Sequence, residues 1–368
     1  MKIGFDATPL IHPVGGIANY ARNLLHALLE LKSGETFCGY IPKGATARLP
    51  WPAEKYSDYL QWVEVGPLTF RGRGFKDQLD VYHGTNFKTQ TSGRYGTVLT
   101  IHDLWLDRHP EYSQKLFGQR LSFIRTKRRV QQATHVIAVS DFTAKEIQEF
   151  YKVSASKISV VHHGLPKEFS PDLGEDKDFL ALRERVGIPD KPFILFIGGA
   201  DPRKNHQSLL KAFASNNFLR QSYVVILVGT PTFKSLTFDR TIHDLGLSEC
   251  VVCIKQLPLN ELRVLYSRAS LFVFPSRYEG FGFPVLEAMA CGAPVITSKY
   301  SALPEVAGEA AVLVDPENTK ALEQAMVQIL KDPNFQDRLR QKGLQWVASF
   351  NWARTAEQTL QVYQSICQ

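Results

Sequence analysis

Long apolar runs are missing from this sequence. No stretch approaches the ~20 residues that a membrane-spanning helix needs. The first residues, Met1-Lys2-Ile3-Gly4-Phe5-Asp6, enter a strand pattern directly, without the charged-then-apolar profile of a signal peptide. Cysteine is scarce: Cys38, Cys250, Cys253, Cys291 and Cys367 are too few and too scattered for a disulfide framework. Cys250 and Cys253 have a metal-like spacing but lack a second pair or a nearby histidine, so they are read as strand residues that pack. A reduced, cytoplasmic setting is expected. No Gly-x-Gly-x-x-Gly follows the first strand, which argues against a dinucleotide dehydrogenase. No convincing Asp-x-Asp metal site is found. Neither a nucleic-acid module nor an aromatic stacking pattern is present, and nucleic acid is set aside as a partner.

What is present fits two domains. The chain has 368 residues, and a domain typically takes about 100–200. Its 44% hydrophobic and 21% charged content is that of an ordinary globular protein. The formal net charge of +7 suits a phosphate-bearing ligand or an anionic membrane surface.

The most informative stretch runs Phe274-Pro275-Ser276-Arg277-Tyr278-Glu279-Gly280-Phe281-Gly282-Phe283-Pro284-Val285-Leu286-Glu287-Ala288-Met289-Ala290-Cys291-Gly292. Residues 271–274 read as a buried strand. A loop with Gly280 and Gly282 follows, then a short helix with Pro284 at its start and Gly292 just past its end. Glycines let the backbone approach a ligand, and the helix start offers amides and a positive dipole end to an anion. Glu279 and Glu287 flank that anion site. Carboxylates suit hydroxyls rather than phosphate, so the mixture fits a ligand bearing both, as a nucleotide sugar does. A glycine turn with two surface glutamates is the plainer reading of the same residues.

This stretch resembles the double-glutamate signature of retaining glycosyltransferases of family 4, with the GT-B fold. Pro294-Val295-Ile296 and Ser301-Ala302-Leu303-Pro304-Glu305-Val306 continue the likeness, which is vague only over residues 30–80. The resemblance implies an α/β protein of two Rossmann-like, doubly wound parallel-sheet domains facing a central cleft. The first is expected over residues 1–168, with helix 352–368 crossing back to it. The nucleotide-sugar domain is expected over 176–350, and a polar linker over 166–175.

Strand 2–5 leads to Gly15-Gly16 and a helix whose apolar face holds Ile17, Tyr20, Ala21, Leu24, Leu25 and Leu28 at three-four spacing. Paired glycines there make either an anion site or a tight turn; the family places them at the donor phosphate or acceptor. Residues 36–41 and 60–65 are expected strands, and Phe70-Arg71-Gly72-Arg73-Gly74-Phe75-Lys76 a basic loop near the acceptor or on the plain surface. Strand 98–101 ends in His102-Asp103, and ligands of open parallel sheets sit beyond such strand ends. The resemblance has His102 touching the donor sugar. Arg120, Arg125, Lys127, Arg128 and Arg129 interleave with apolar residues, as on a solvated helix or one lying on an anionic membrane. Ser140 is a helix cap by pattern and a cleft residue by resemblance.

From residue 192 the architecture restarts: strand, Gly198-Gly199, then Arg203-Lys204-Asn205 before a helix expected over 205–213. Two cations at a helix start make a diphosphate clamp. Many family members carry the arginine directly after the first glycine; here Gly199 stands there, so Lys204 carries over more firmly than Arg203. Gly229 closes a further strand at residues 224–230.

The resemblance then implies metal-independent hexosyl transfer with retention. Lys204 and Arg203, with the amides around Gly280, Phe281 and Gly282, would meet the leaving diphosphate. Glu287 would hold the ribose, and Glu279 with His102 the sugar hydroxyls. Gly15, Gly16, Asp103, Ser140, Gly199 and Gly229 would line the substrate. No cofactor beyond the donor is expected. A GDP-linked mannosyl or deoxyhexosyl donor is favoured over a UDP-linked one, with a carbohydrate or lipid-linked acceptor of a surface polysaccharide at the inner face of the membrane. A nucleotide-sugar 2-epimerase and an idle sugar-nucleotide-binding scaffold are the alternatives.

Overall fold

The computed structural model describes residues 1–11, 15–49, 53–66, 78–86, 94–110, 119–171, 176–199, 201–229 and 238–367, with backbone only at 53–54, 119–123 and 176. The basic loop expected at 70–76 lies outside these residues, as do Val14, Thr230 and the end of the expected linker. The chain divides into two units, Met1–Gly164 with Phe350–Gln368, and Leu165–Ser349.

The first unit is built on seven parallel strands in the order β3-β2-β1-β4-β5-β6-β7. These are β1 (Lys2–Asp6), β2 (Thr36–Pro42), β3 (Leu60–Val65), β4 (Val81–Gly84), β5 (Gly96–Ile101), β6 (His135–Ala138) and β7 (Ile158–Val160). Its helices are α1 (Gly16–Glu30), α2 (Trp105–Arg108), α3 (Gln119–Gln132) and α4 (Asp141–Tyr151). Parallel strands carry helices on their faces and read as continuous apolar runs, and β4 and β5 are buried almost throughout. The α1 face expected from spacing is the buried one, with Tyr20, Ala21, Leu24, Leu25 and Leu28 in the core.

A hydrogen-bonded chain runs through this core. Tyr363 Oη lies 2.6 Å from His83 Nδ1, His83 Nε2 2.7 Å from Thr100 Oγ1, and that hydroxyl 2.9 Å from Tyr20 Oη. Burial drives the His83 pKa down to about 3, so the ring is neutral and holds one proton to share along the chain. Tyr363 comes from α14, below. Buried polar groups are tolerated only when partnered in this way.

The second unit repeats the plan with six parallel strands in the order β10-β9-β8-β11-β12-β13. Its helix α5 (Asp176–Val186) precedes β8 (Phe193–Ile197). Then come α6 (His206–Ala214), α7 (Asn217–Ser222), β9 (Val224–Val228), α8 (Asp239–Asp244), β10 (Val251–Ile254), α9 (Leu259–Arg268) and β11 (Leu271–Phe274). α10 (Phe283–Ala290), β12 (Val295–Ser298), α11 (Leu303–Ala307), β13 (Val312–Val314), α12 (Thr319–Lys331) and α13 (Pro333–Val347) complete it. Finally α14 (Trp352–Ser365) packs on α1, placing Ala356, Leu360 and Tyr363 in the first unit's core. Each sheet has the Rossmann strand order, with its reversal between β1 and β4 and between β8 and β11.

Two local expectations need correction. Arg203 and Lys204 do precede the helix, but they are not at its start; they sit on a separate 3-10 turn, Pro202–Lys204, and α6 starts at His206 after Asn205 adopts φ 56°. Asn205 ends the turn because its side chain is bound elsewhere: Nδ2 donates to Pro316 O at 2.8 Å and Oδ1 accepts from Ser208 at 2.9 Å. Cys253 is exposed rather than packed, because β10 is an edge strand.

Candidate functional site

In the second unit the carboxyl ends of β8 and β11 flank the strand-order reversal, where open α/β sheets bind ligands. Gly198 and Gly199 leave β8 there, and Gly229 leaves β9 beside them. A side chain at Gly229 would bring its Cβ to 2.4 Å from Gly198 O, and the backbone has φ +150°. Only glycine permits this approach of two strand ends. The loop after β11 is stitched to the turn after β8: Arg277 N donates to Arg203 O at 2.7 Å and Ser276 Oγ to the same oxygen at 3.0 Å.

That stitching brings Lys204 to Glu279. Nζ lies 2.7 Å from Glu279 Oε1, which also accepts from Ser276 Oγ at 2.7 Å. The lysine stem runs over Gly198, and its ammonium lies 5.0 Å from the Phe274 ring centre. Glu279 is 7% exposed, so it is not a surface acid at the mouth of the loop. Burial pushes its carboxyl up, but Lys204 and Arg203, with the Ser276 hydroxyl, outweigh that and hold it below the usual range. Arg203 is itself engaged: its Nε donates to Asp201 Oδ2 at 3.1 Å, and its backbone N–H to Asp201 Oδ1 at 3.0 Å.

The glycine loop then turns into α10. Gly282 has φ +117°, and a Cβ there would meet Leu303 Cδ2 at 2.7 Å. Pro284 stands in the first turn of α10, as its fixed φ favours. Phe281 is buried, edge-on to Phe283 at 5.3 Å. On the same helix Glu287 accepts from Tyr266 Oη at 2.8 Å. Burial raises its pKa to about 7, with Tyr266 and the Lys204 charge pulling the other way. Lys204 therefore acts electrostatically on both glutamates. At neutral pH one is an anion and the other is poised between acid and anion.

The first unit holds the remaining candidates. Gly15, at φ +137°, caps α1, and a Cβ at Gly15 or Gly16 would meet nothing within 4 Å. His102 Nε2 donates to Thr85 O at 2.9 Å, which fixes the tautomer, and Tyr20 of α1 meets the ring edge-on at 4.7 Å. Burial lowers the His102 pKa, so the ring is neutral near pH 7. His163 stacks obliquely on it at 5.6 Å. Asp103 Oδ1 accepts from Trp105 N at 3.1 Å, at the start of α2. Ser140 is fully buried and caps α4, its Oγ accepting from Thr143 N at 3.0 Å.

Reading the sequence missed Ser276, Asp201 and Tyr266. Ser276 stands three residues before Glu279, a spacing that could have flagged it. Tyr266 lies on α9, and nothing local announces that its hydroxyl reaches Glu287.

Residues 178–346 match the family model described as Glycosyl transferases group 1, and residues 14–169 the model described as Glycosyltransferase Family 4. The O-antigen chain mannosyltransferase B of Escherichia coli is 28% identical over 387 aligned positions, covering 99% of each chain. Among solved structures, sucrose-phosphate synthase from Thermosynechococcus elongatus superposes with a TM-score of 0.75 at 23% identity, over 100% of this chain and 99% of that one. HepE of Anabaena in complex with UDP-glucose gives 0.74 at 18%, over 99% and 100%. These neighbours share the two-domain GT-B fold.

Proposed function

The chain belongs to the group 1 glycosyl transferases of family 4, and we propose that it moves mannose or a related hexose from a nucleotide diphosphate donor to a hydroxyl of a surface-polysaccharide acceptor, with retention and without a metal ion. The observation that carries this reading is the convergence of Lys204, Glu279 and Glu287 at the ends of β8 and β11. The mannose preference draws on the mannosyltransferase relative, and a nucleotide-sugar donor on the UDP-glucose complex of the HepE neighbour.

In the reaction the bond from the anomeric carbon to the diphosphate oxygen breaks, and a bond to the acceptor oxygen forms on the same face. The acceptor proton passes to the leaving phosphate. Negative charge grows on that phosphate, and preorganised cations stabilise it without reorganising. An ammonium has three donors; Glu279 takes one and holds Lys204 in place, leaving others for the diphosphate. Glu287, when ionised, accepts the ribose hydroxyls, and neutral His102 orients the sugar. The basic face of α3 rests on the anionic membrane that carries the acceptor.

Thermal-shift screening against UDP, GDP, ADP and dTDP tests donor binding. The preferred nucleotide stabilises the fold by about 2.7 kcal/mol at a hundredfold excess over its Kd. Lys204→Ala and Glu287→Ala, while folded, lose most transfer from GDP-mannose, and EDTA leaves the wild-type rate unchanged. Wild-type rates in both variants would refute the site. Donor incubated alone separates transfer from epimerisation, since an epimerase isomerises the sugar without an acceptor.

A further inference from the structure

On the second unit, outside the glycine-loop site, lies a cavity of about 520 Å3 lined by Gly308, Glu309, Ala310, Lys342, Gln345 and Trp346. One lining side chain is an indole held from two sides. Trp346 Nε1, on α13, donates to Val306 O at 2.7 Å, a carbonyl in the last turn of α11. The ring lies against Gly308: a Cβ built there would meet Cζ2 at 2.7 Å and Cε2 at 2.8 Å, and the backbone has φ +52°. Glycine is thus required both by conformation and by the ring. With its nitrogen tied and part of its surface backed, the indole still leaves 37% of the residue open. Burying a tryptophan contributes strongly to a core; this one is instead presented.

The rest of the lining is polar and adaptable. Lys342 Nζ stands 3.9 Å from Glu309 Oε2, with side chains 56% and 97% exposed. One cation and one anion cancel, and Gln345 adds a neutral amide that both donates and accepts. A lining without net charge does not select an anion or a cation. A rigid aromatic surface bordered by carboxylate, amide and ammonium suits a ligand with a flat C–H face and many hydroxyls. The volume falls within the range of about 300–1,000 Å3 typical of small-molecule sites. We propose that this cavity is a second saccharide-binding site, in which a hexose unit of a carbohydrate chain lays its C–H face on Trp346 while Gln345, Glu309 and Lys342 bond its hydroxyls. Its part in transfer, retaining a growing polymer, rests on the proposed reaction; binding itself does not.

Mannotetraose is the probe. Titrated into the wild-type protein, it gives a saturable change in tryptophan emission and a matching calorimetric isotherm. Trp346→Ala abolishes both, and the exposed-residue variant K342A/Q345A, which leaves the indole and its backing intact, weakens binding severalfold. The nucleoside diphosphate thermal shift is unchanged in all variants, so failure of this site is distinguishable from failure of the donor site. No saturable response in the wild-type protein with mannotetraose, maltotetraose or cellotetraose overturns the proposal, as does binding that survives Trp346→Ala. If Trp346→Ala does not fold, undiminished binding by K342A/Q345A overturns it.

Discussion

A single lysine acts on two acids in the second unit, and burial opposes it at both. Lys204 sits 2.7 Å from Glu279 and pulls on Glu287 as well, yet the two respond oppositely. Glu279 has the ammonium and a hydroxyl donor within bonding distance, and remains an anion. Glu287 has the Tyr266 hydroxyl as its hydrogen-bond donor among the described residues, and burial wins. This difference makes Glu287 a source of pH dependence. Its folded pKa of about 7 lies above the ordinary 4.5, so the folded protein holds a proton that the unfolded chain has released. The stabilisation is complete below about 4.5 and is lost as pH rises through 7. Glu287→Gln, which cannot ionise, is expected to remove that falling slope, and urea melts across this window should show the variant overtaking the wild type above pH 7. If ionised Glu287 accepts the ribose hydroxyls as proposed, the wild-type KM for the donor should rise as pH drops below 7. A pH-independent KM would detach Glu287 from the ribose.

At the scale of elements, the order of strand, glycine and helix was readable from the sequence because its signals are local. Apolar runs of strand length, Gly282 before Pro284, and Gly292 past the α10 end all act within a few residues. The 3-10 turn at Pro202–Lys204 was not readable: it is decided by Asn205 binding Pro316 O across the fold. The same holds for the Lys204–Glu279 pair and the His83–Tyr363 bond, whose partners are far apart in sequence. The α3 helix was legible as basic but not in its use. In the structure Arg125 and Arg128 are exposed on it, beside an exposed Ile124. Burial and the like charge of Arg125 lower the Arg129 pKa, as expected where cations crowd. The proposed contact with an anionic bilayer would relieve that crowding. Each basic residue near such a surface contributes about 1 kcal/mol, so the double reversal R125E/R128E should weaken cosedimentation with phosphatidylglycerol vesicles by roughly thirtyfold or more. High salt should mimic the effect. Equal sedimentation of both proteins would leave α3 as a solvated helix.

The whole molecule is assembled out of chain order. The first unit is closed by α14, which follows the entire second unit in sequence. α14 supplies Ala356, Leu360, Val362 and Tyr363 to a core whose other buried members all precede Gly164. Removing it strips these side chains from the core and leaves His83 without its phenol. A large-to-small core change already costs about 2–5 kcal/mol, comparable to a domain's stability. Truncation after Ser349 should therefore unfold the first unit while the second keeps its core. Hydrogen exchange should show protection lost over β1–β6 and retained over β8–β12; protection retained in both would mean that α14 is dispensable.

The chain leaves the first unit at Gly164 and comes back at Phe350, and these crossings touch: a Cβ on Gly164 would lie 2.3 Å from Trp352 N. Departure and return are neighbours, so the second unit is an insertion into a loop of the first. On the ribosome the inserted part can finish folding while its host still waits for the segment that completes it. Maturation would then run from the middle of the message outward, and the early-made half would be the one most in need of a chaperone.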